Sequence, residues 1–157
     1  MVEPAPQGDP LDDLLSSYER RKQDETRRVV ERAERLERSR RRGAEVLRRH
    51  AVDAARNACA RLERAGHRVL LQELLQNYPP SIRIHLWPRR GPFDDGVPER
   101  FTMELAWGDP VKDELCVRWW DSEGVGTIVD QGSAAEDEVD ELWVREQILD
   151  FLRAVLG

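Results

Sequence analysis

The sequence predicts an α+β fold: a long N-terminal charged α-helix, a four- to five-stranded antiparallel meander sheet and a C-terminal amphipathic helix. Three observations predict it. One apolar stripe can be followed at helical spacing from Leu11 to Ala65. Short runs of alternating apolar and polar residues follow between residues 81 and 130, separated by turn-forming residues. Beyond an acidic stretch, the chain again carries an apolar face at helical spacing. Helices and strands segregated along the chain in this way give an α+β arrangement, and 157 residues leave room for one domain with an appendage.

Residues 1–8 are rich in Pro, Gly and polar groups and are expected to be disordered. Asp9 is placed to cap a helix whose first residue is Pro10, and Asp12 and Asp13 meet the positive end of its dipole. The stripe then runs through Leu11, Leu15, Tyr18, Lys22, Thr26, Val29, Ala33, Leu36, Arg40, Ala44, Leu47, Ala51, Ala54, Ala58, Leu62 and Ala65. Its mean step of about 3.6 residues is that of a straight α-helix. The stripe weakens at Lys22 to Thr26 and at Ser39 to Gly43. Glycine costs about 1 kcal/mol relative to alanine inside a helix, so a break near Gly43 is open. Unbroken, such a helix would reach about 84 Å at 1.5 Å per residue. Residues 9–43 are therefore expected to form a projecting Arg-rich helix and residues 44–157 a compact α+β domain, with the alanine-rich second half of the helix docked.

Gly66 suits the left-handed position that ends a helix. Residues 67–75 fit a strand through Val69, Leu71 and Leu75, or a short helix through Leu70, Leu71, Leu74, Leu75 and Tyr78; the strand is preferred. Pro79 and Pro80 end it. Strands are then predicted at SIRIHLW (81–87), RFTMELAW (100–107), ELCVRWW (114–120) and GTIVD (126–130), with turns at FDDG (93–96), GDP (108–110) and SEG (122–124). Connections this short join antiparallel neighbours. SAAEDEVDE (133–141) reads as an acidic loop into a helix whose apolar face holds Val139, Leu142, Trp143, Ile148, Leu149, Leu152, Val155 and Leu156.

The formal charge of −6 hides a dipolar chain: residues 1–19 carry −5, residues 20–68 carry +9 and residues 69–157 carry −10. Such asymmetry points to a charged partner or to contact between the two halves of the molecule in neighbouring copies. All 25 basic residues except Lys22 and Lys112 are arginines, a bias expected of a GC-rich bacterial genome. No apolar run reaches the ~20 residues that span a bilayer, and MVEPAPQGDP lacks the parts of a signal peptide, so a cytoplasmic location is expected.

The densest basic stretch, RLERSRRRGAEVLRRH (35–50), holds Arg35, Arg38, Arg40, Arg41, Arg42, Arg48 and Arg49, and Arg21, Arg28, Arg35, Arg42, Arg49 and Arg56 recur every seven residues. A phosphate-binding helix would carry such a row. Acids placed four residues earlier pair Asp24 with Arg28, Glu31 with Arg35, Glu34 with Arg38, Glu37 with Arg41 and Glu45 with Arg49, an arrangement that stabilises an exposed helix by about 0.2–0.5 kcal/mol per pair. The stretch also lacks the interleaved aromatics of a single-strand binder.

Strand alternation sorts the sheet residues onto two faces. One holds Ile82, Ile84, Leu86, Phe101, Met103, Leu105, Trp107, Leu115, Val117 and Trp119, a core face. The other holds Arg83, His85, Trp87, Thr102, Glu104, Ala106, Cys116, Arg118 and Trp120, with large aromatics among charges. Arg83, His85, Trp87, Glu104, Arg118 and Trp120 are the candidate partner-binding residues, because tryptophan and arginine anchor many interfaces. Docking of the N-terminal helix over the tryptophans, with Glu104 paired to Arg83 or Arg118, is the plain structural alternative.

No catalytic constellation stands out. His50, His67 and His85 form no HxH or HExxH pattern, Cys59 and Cys116 have no CxxC partner and are expected to be buried reduced thiols, and Asp94 and Asp95 suggest only a turn. GxGxxG and P-loop patterns are absent, and no cofactor or metal is expected. The leading expectation is a non-catalytic protein-interaction or assembly module that contacts a protein partner or another copy of itself. Nucleic-acid binding through the Arg-rich helix comes second, and a small enzyme with a site near His85 and Glu104 third.

Overall fold

The computed structural model describes residues 8–91, 99–108, 112–122 and 129–157. In chain order these form α1 (Pro10–His50), α2 (Val52–Arg64), β1 (Arg68–Leu74), β2 (Ser81–Trp87), β3 (Phe101–Trp107), β4 (Glu114–Asp121), β5 (Val129–Ala135), a 3-10 turn (Glu136–Glu138) and α3 (Glu141–Leu156). The fold is α+β, with one antiparallel sheet in the order β1-β2-β3-β4-β5. Contacts divide the chain into two units, residues 1–37 and 38–157. The expected disorder of residues 1–7, the FDDG turn, most of GDP and SEG, and residues 126–128 lie outside the described residues.

In the first unit, Asp9 accepts a hydrogen bond from the Leu11 N–H at 3.0 Å, the expected cap ahead of Pro10. Leu11, Leu14, Leu15, Tyr18, Val29 and Val30 are all exposed. None of the α1 residues before Ser39 is buried.

In the second unit, α1 passes Gly43 without a break, and the irregular point comes at Ala51, which has φ −115°. The helical ladder continues across it, from the Ala51 N–H to Leu47 O at 2.8 Å and from the Ala55 N–H to Ala51 O at 2.9 Å. A Cβ on Gly43 would lie 2.4 Å from Trp107 Cγ, so the glycine provides close approach rather than a hinge. One turn earlier, Ser39 Oγ accepts from the Trp107 indole N–H at 3.2 Å, which satisfies the donor of a fully buried ring.

α2 ends in a Schellman motif: Gly66 has φ +92°, its N–H reaches Glu63 O at 2.9 Å, and the His67 N–H reaches Leu62 O at 3.0 Å. Residues 68–74 form a strand, the preferred of the two sequence readings. Buried residues of α1 and α2, with Ala51 between them (Val46, Leu47, Ala51, Val52, Ala55, Cys59), and of α3 (Val144, Ile148, Phe151) pack with Ile82, Ile84, Leu86, Met103, Leu105, Trp107, Leu115 and Val117 in one core. The predicted core face is the observed one. Trp119 sits at its edge, half-buried, 5.7 Å from the Phe151 ring.

Two elements differ from expectation. β5 runs on to Ala135, through residues read as loop. DQGS has little strand propensity, but pairing along β4 supplies the ladder, with a bulge opposite Val117 and Arg118 where Gly132 takes φ +138°. The expected face of α3 holds in part: Ile148, Trp143, Leu152 and Val155 lie in or against the core, joined by Val144 and Phe151, whereas Leu142, Leu149 and Leu156 are exposed. Asp140 caps this helix by accepting from the Trp143 N–H at 2.7 Å. No helix among the described residues is long and apolar enough to cross a membrane.

Candidate functional site

The mixed sheet face is built by register. Arg83 lies opposite Glu104 and His85 opposite Thr102 across β2 and β3; Glu104 in turn lies opposite Arg118 and Thr102 opposite Trp120 across β3 and β4. From β1, Arg68, Leu70 and Gln72 stand beside Trp87, His85 and Arg83. The face has a buried polar centre at His85, Thr102 and Glu104, framed by half-buried Arg83, Trp87, Arg118 and Trp120.

These polar groups satisfy one another. Arg83 Nε donates to Glu104 Oε2 at 2.7 Å, and Arg118 Nε reaches Asp130 Oδ1 at 3.0 Å. His85 Nε2 donates to Gln72 Oε1 at 2.7 Å, because an amide oxygen can only accept; Nδ1 then accepts the Thr102 hydroxyl hydrogen at 2.8 Å. Burial first, then the charges of Arg100 and Arg83, hold the His85 pKa below its ordinary value. The ring is a neutral, fully bonded part of the sheet. Glu104 pairs with Arg83, one of the two arginines expected for it, so the carboxylate is taken and the imidazole of His85 bonds Thr102 and Gln72 instead.

The aromatic residues are also paired. The Arg68 guanidinium lies 4.5 Å from the Trp87 ring centroid and that of Arg83 lies 5.7 Å from Trp120. Both tryptophans stand outside the hydrophobic core. The expectation that the docked part of the N-terminal helix covers them is corrected: its apolar residues join the core on the opposite face. The period-two pattern named the core face, and the helices pack on that face.

The basic stretch separates into arginines with different roles. Arg42 joins Asp113 at 3.3 Å and Glu136, and the Glu136 carboxylate raises its pKa further. Arg40 donates to Leu75 O at 3.0 Å. Arg49 pairs with Glu45 at 2.7 Å, as expected from the sequence, and Arg56 makes a two-pronged contact with Glu73 at 2.7 and 3.0 Å. The basic helix and the acidic sheet region thus meet within residues 38–157. A cavity of about 880 Å³ beside this contact is lined by Arg41, Arg42 and Arg49 together with Asp113, Glu136 and Asp137, so it offers an anion no excess of positive charge. Arg38, Arg41 and Arg48 are exposed. In the first unit Arg35 is exposed as well, and Asp24 and Glu31 are both approached by Arg27, at 3.2 and 3.8 Å.

One surface escaped the sequence reading. α2 and α3 bound a groove of about 520 Å³ whose walls are Ala54, Ala58 and Leu62 on one side and Ile148, Leu149 and Leu152 on the other, with Arg61 and Arg145 along it. The exposed Leu142, Leu149 and Leu156, seven residues apart, run along α3 beside it. That spacing was the available signal, hidden because α3 carries apolar residues on several sides.

The two thiols are quiet. Burial pushes Cys59 up to about 11 and also raises Cys116. Among the described residues no group of three or more His, Cys, Asp or Glu side chains is arranged to hold a metal ion. Compared with protein families, with curated proteins and with solved structures, the chain matches none of them.

Proposed function

We propose that this protein is a non-catalytic interaction module that assembles with a protein partner or with another copy of itself, using the N-terminal helix and, secondarily, the mixed sheet face. One observation carries the reading. Residues 10–37 are helical, yet none is buried, while Leu11, Leu14, Leu15, Tyr18, Val29 and Val30 stand exposed. Helices owe most of their stability in proteins to burial of an apolar face, and a helix with such a face and no core calls for an external partner.

The sheet face supports a contact role over a catalytic one. Its Arg83, Glu104 and His85 are engaged with neighbours within the sheet, while Trp87 and Trp120 offer interface anchors. The ion pairs of Arg42, Arg49 and Arg56 also weaken the case for nucleic acid.

The test is light scattering of the full chain over a range of concentration and salt, beside fluorescence anisotropy with labelled duplex DNA and single-stranded RNA. Self-association, with no nucleic-acid binding at low salt, is the expected result. A monomer that binds nucleic acid with a steep salt dependence would overturn the proposal in favour of a phosphate-binding helix.

A further inference from the structure

We infer that the first turns of α1 from one copy dock into the α2–α3 groove of a second copy. The inference rests on the proposed assembly role and names the partner for it. Leu11, Leu14, Leu15 and Tyr18 are spaced as i, i+3, i+4 and i+7, the anchor pattern of a helix laid into a groove, and all four are exposed. Each wall of the groove carries three apolar side chains, with Asn57 and Arg61 beside them on α2 and Arg145 on α3, and the exposed Leu149 lies on it.

The lengths agree. The anchors span two helical turns, and each wall spans two turns as well, from Ala54 to Arg61 and from Arg145 to Leu152. The charges agree too. Residues 9–19 carry Asp9, Asp12, Asp13 and Glu19 and no basic side chain. Arg61 and Arg145 are the charged residues lining the groove, the second also 3.6 Å from Glu141, and no acid among the described residues lines it. Asp12 and Glu19, seven residues apart, share one flank of the anchor stripe, where they can meet a groove arginine while the leucines fill the floor. An acidic amphipathic helix and a basic-rimmed apolar groove are complementary surfaces carried by the same chain. Because they differ from one another, the contact is heterologous: reciprocal exchange between two copies closes a dimer, and one-way exchange builds a chain.

This distinction makes the inference testable by complementation. One variant, Leu14→Glu/Leu15→Glu, removes the anchors and keeps the groove. The other, Leu149→Glu/Arg61→Glu, spoils the groove and keeps the anchors. All four side chains are exposed, so circular dichroism and the urea midpoint should match those of the parent. In sedimentation velocity each variant alone is expected to associate at least about tenfold more weakly than the parent, and an equimolar mixture to recover a 1:1 complex through its one intact contact. If the groove variant still associates on its own as tightly as the parent, α1 pairs with something other than the groove; the inference fails and the assembly role stands. A parent chain that stays monomeric throughout would overturn the inference and leave the assembly role to a different protein partner.

Discussion

Gly43 lies against the ring of Trp107, and a methyl group in place of its hydrogen would sit 2.4 Å from Trp107 Cγ. In an exposed helix the Gly→Ala change stabilises by about 1 kcal/mol. Here the added carbon must displace a fully buried indole whose N–H is held by Ser39. Overpacking of that kind costs about 1–3 kcal/mol, so Gly43→Ala is expected to lower the urea unfolding midpoint against the propensity trend. An unchanged or raised midpoint would mean that the ring yields freely.

Ser39→Ala removes the acceptor of the buried Trp107 N–H, which lies 3.2 Å from Ser39 Oγ. Stranding that donor should cost about 1–3 kcal/mol, which calorimetry would register as a lower Tm. Ser39→Thr, which keeps the hydroxyl, should recover part of the loss.

Protonation of His85 would put a charge into a buried network in which Arg83 and Arg100 already repel it. Its folded pKa is depressed, so the unfolded chain takes up the proton first. The stability due to the neutral ring is present above the unfolded value of about 6.5 and falls as pH drops from there through the folded pKa. Urea midpoints measured at neutral and mildly acidic pH should fall less steeply in His85→Gln than in the parent; parallel slopes would show that His85 does not carry the effect.

Arg83→Met would leave the Glu104 carboxylate, which is 7% exposed, without the donor now 2.7 Å away. The loss is expected to be about 1–3 kcal/mol. Arg83→Met/Glu104→Met together should be milder than the sum of the single changes, because the pair is then replaced by apolar groups, and a double-mutant cycle reads that coupling.

Cys59 is buried, with its pKa pushed up to about 11, so little thiolate forms at pH 8. A thiol titration with Ellman's reagent should find Cys59 unreactive in the native protein, Cys116 slow, and both rapid in denaturant. Rapid native labelling assigned to Cys59 by mass spectrometry would contradict the packing.

Local rules make much of this fold legible in the sequence. Asp9 and Pro10 mark a helix start, Gly66 marks an end, and the alternation in SIRIHLW and FTMELAW sorts the core face correctly, because each signal acts within a few residues. The missed features depend on partners far away. Gly43 looked like a helix weakness because its reason, Trp107, comes from β3. DQGS looked like loop because its strand character comes from pairing with β4. Arg42 looked like a phosphate ligand because Asp113 and Glu136 are distant in sequence. The partner of His85 was hidden for the same kind of reason, since Gln72 belongs to a segment whose residues also fit a short helix.

In the sheet order β1-β2-β3-β4-β5 every strand pairs with its neighbour in sequence, so assembly needs only short loop closures, made one hairpin at a time. A low contact order of this kind favours rapid formation of the sheet. The contact between α2 and α3 is different: it joins residues 52–64 to residues 141–156 across the whole sheet region. During synthesis the strands can pair as they emerge, but the apolar surface of α2 remains without its full cover until α3 has been made, and that interval is when a nascent chain is most exposed to wrong contacts.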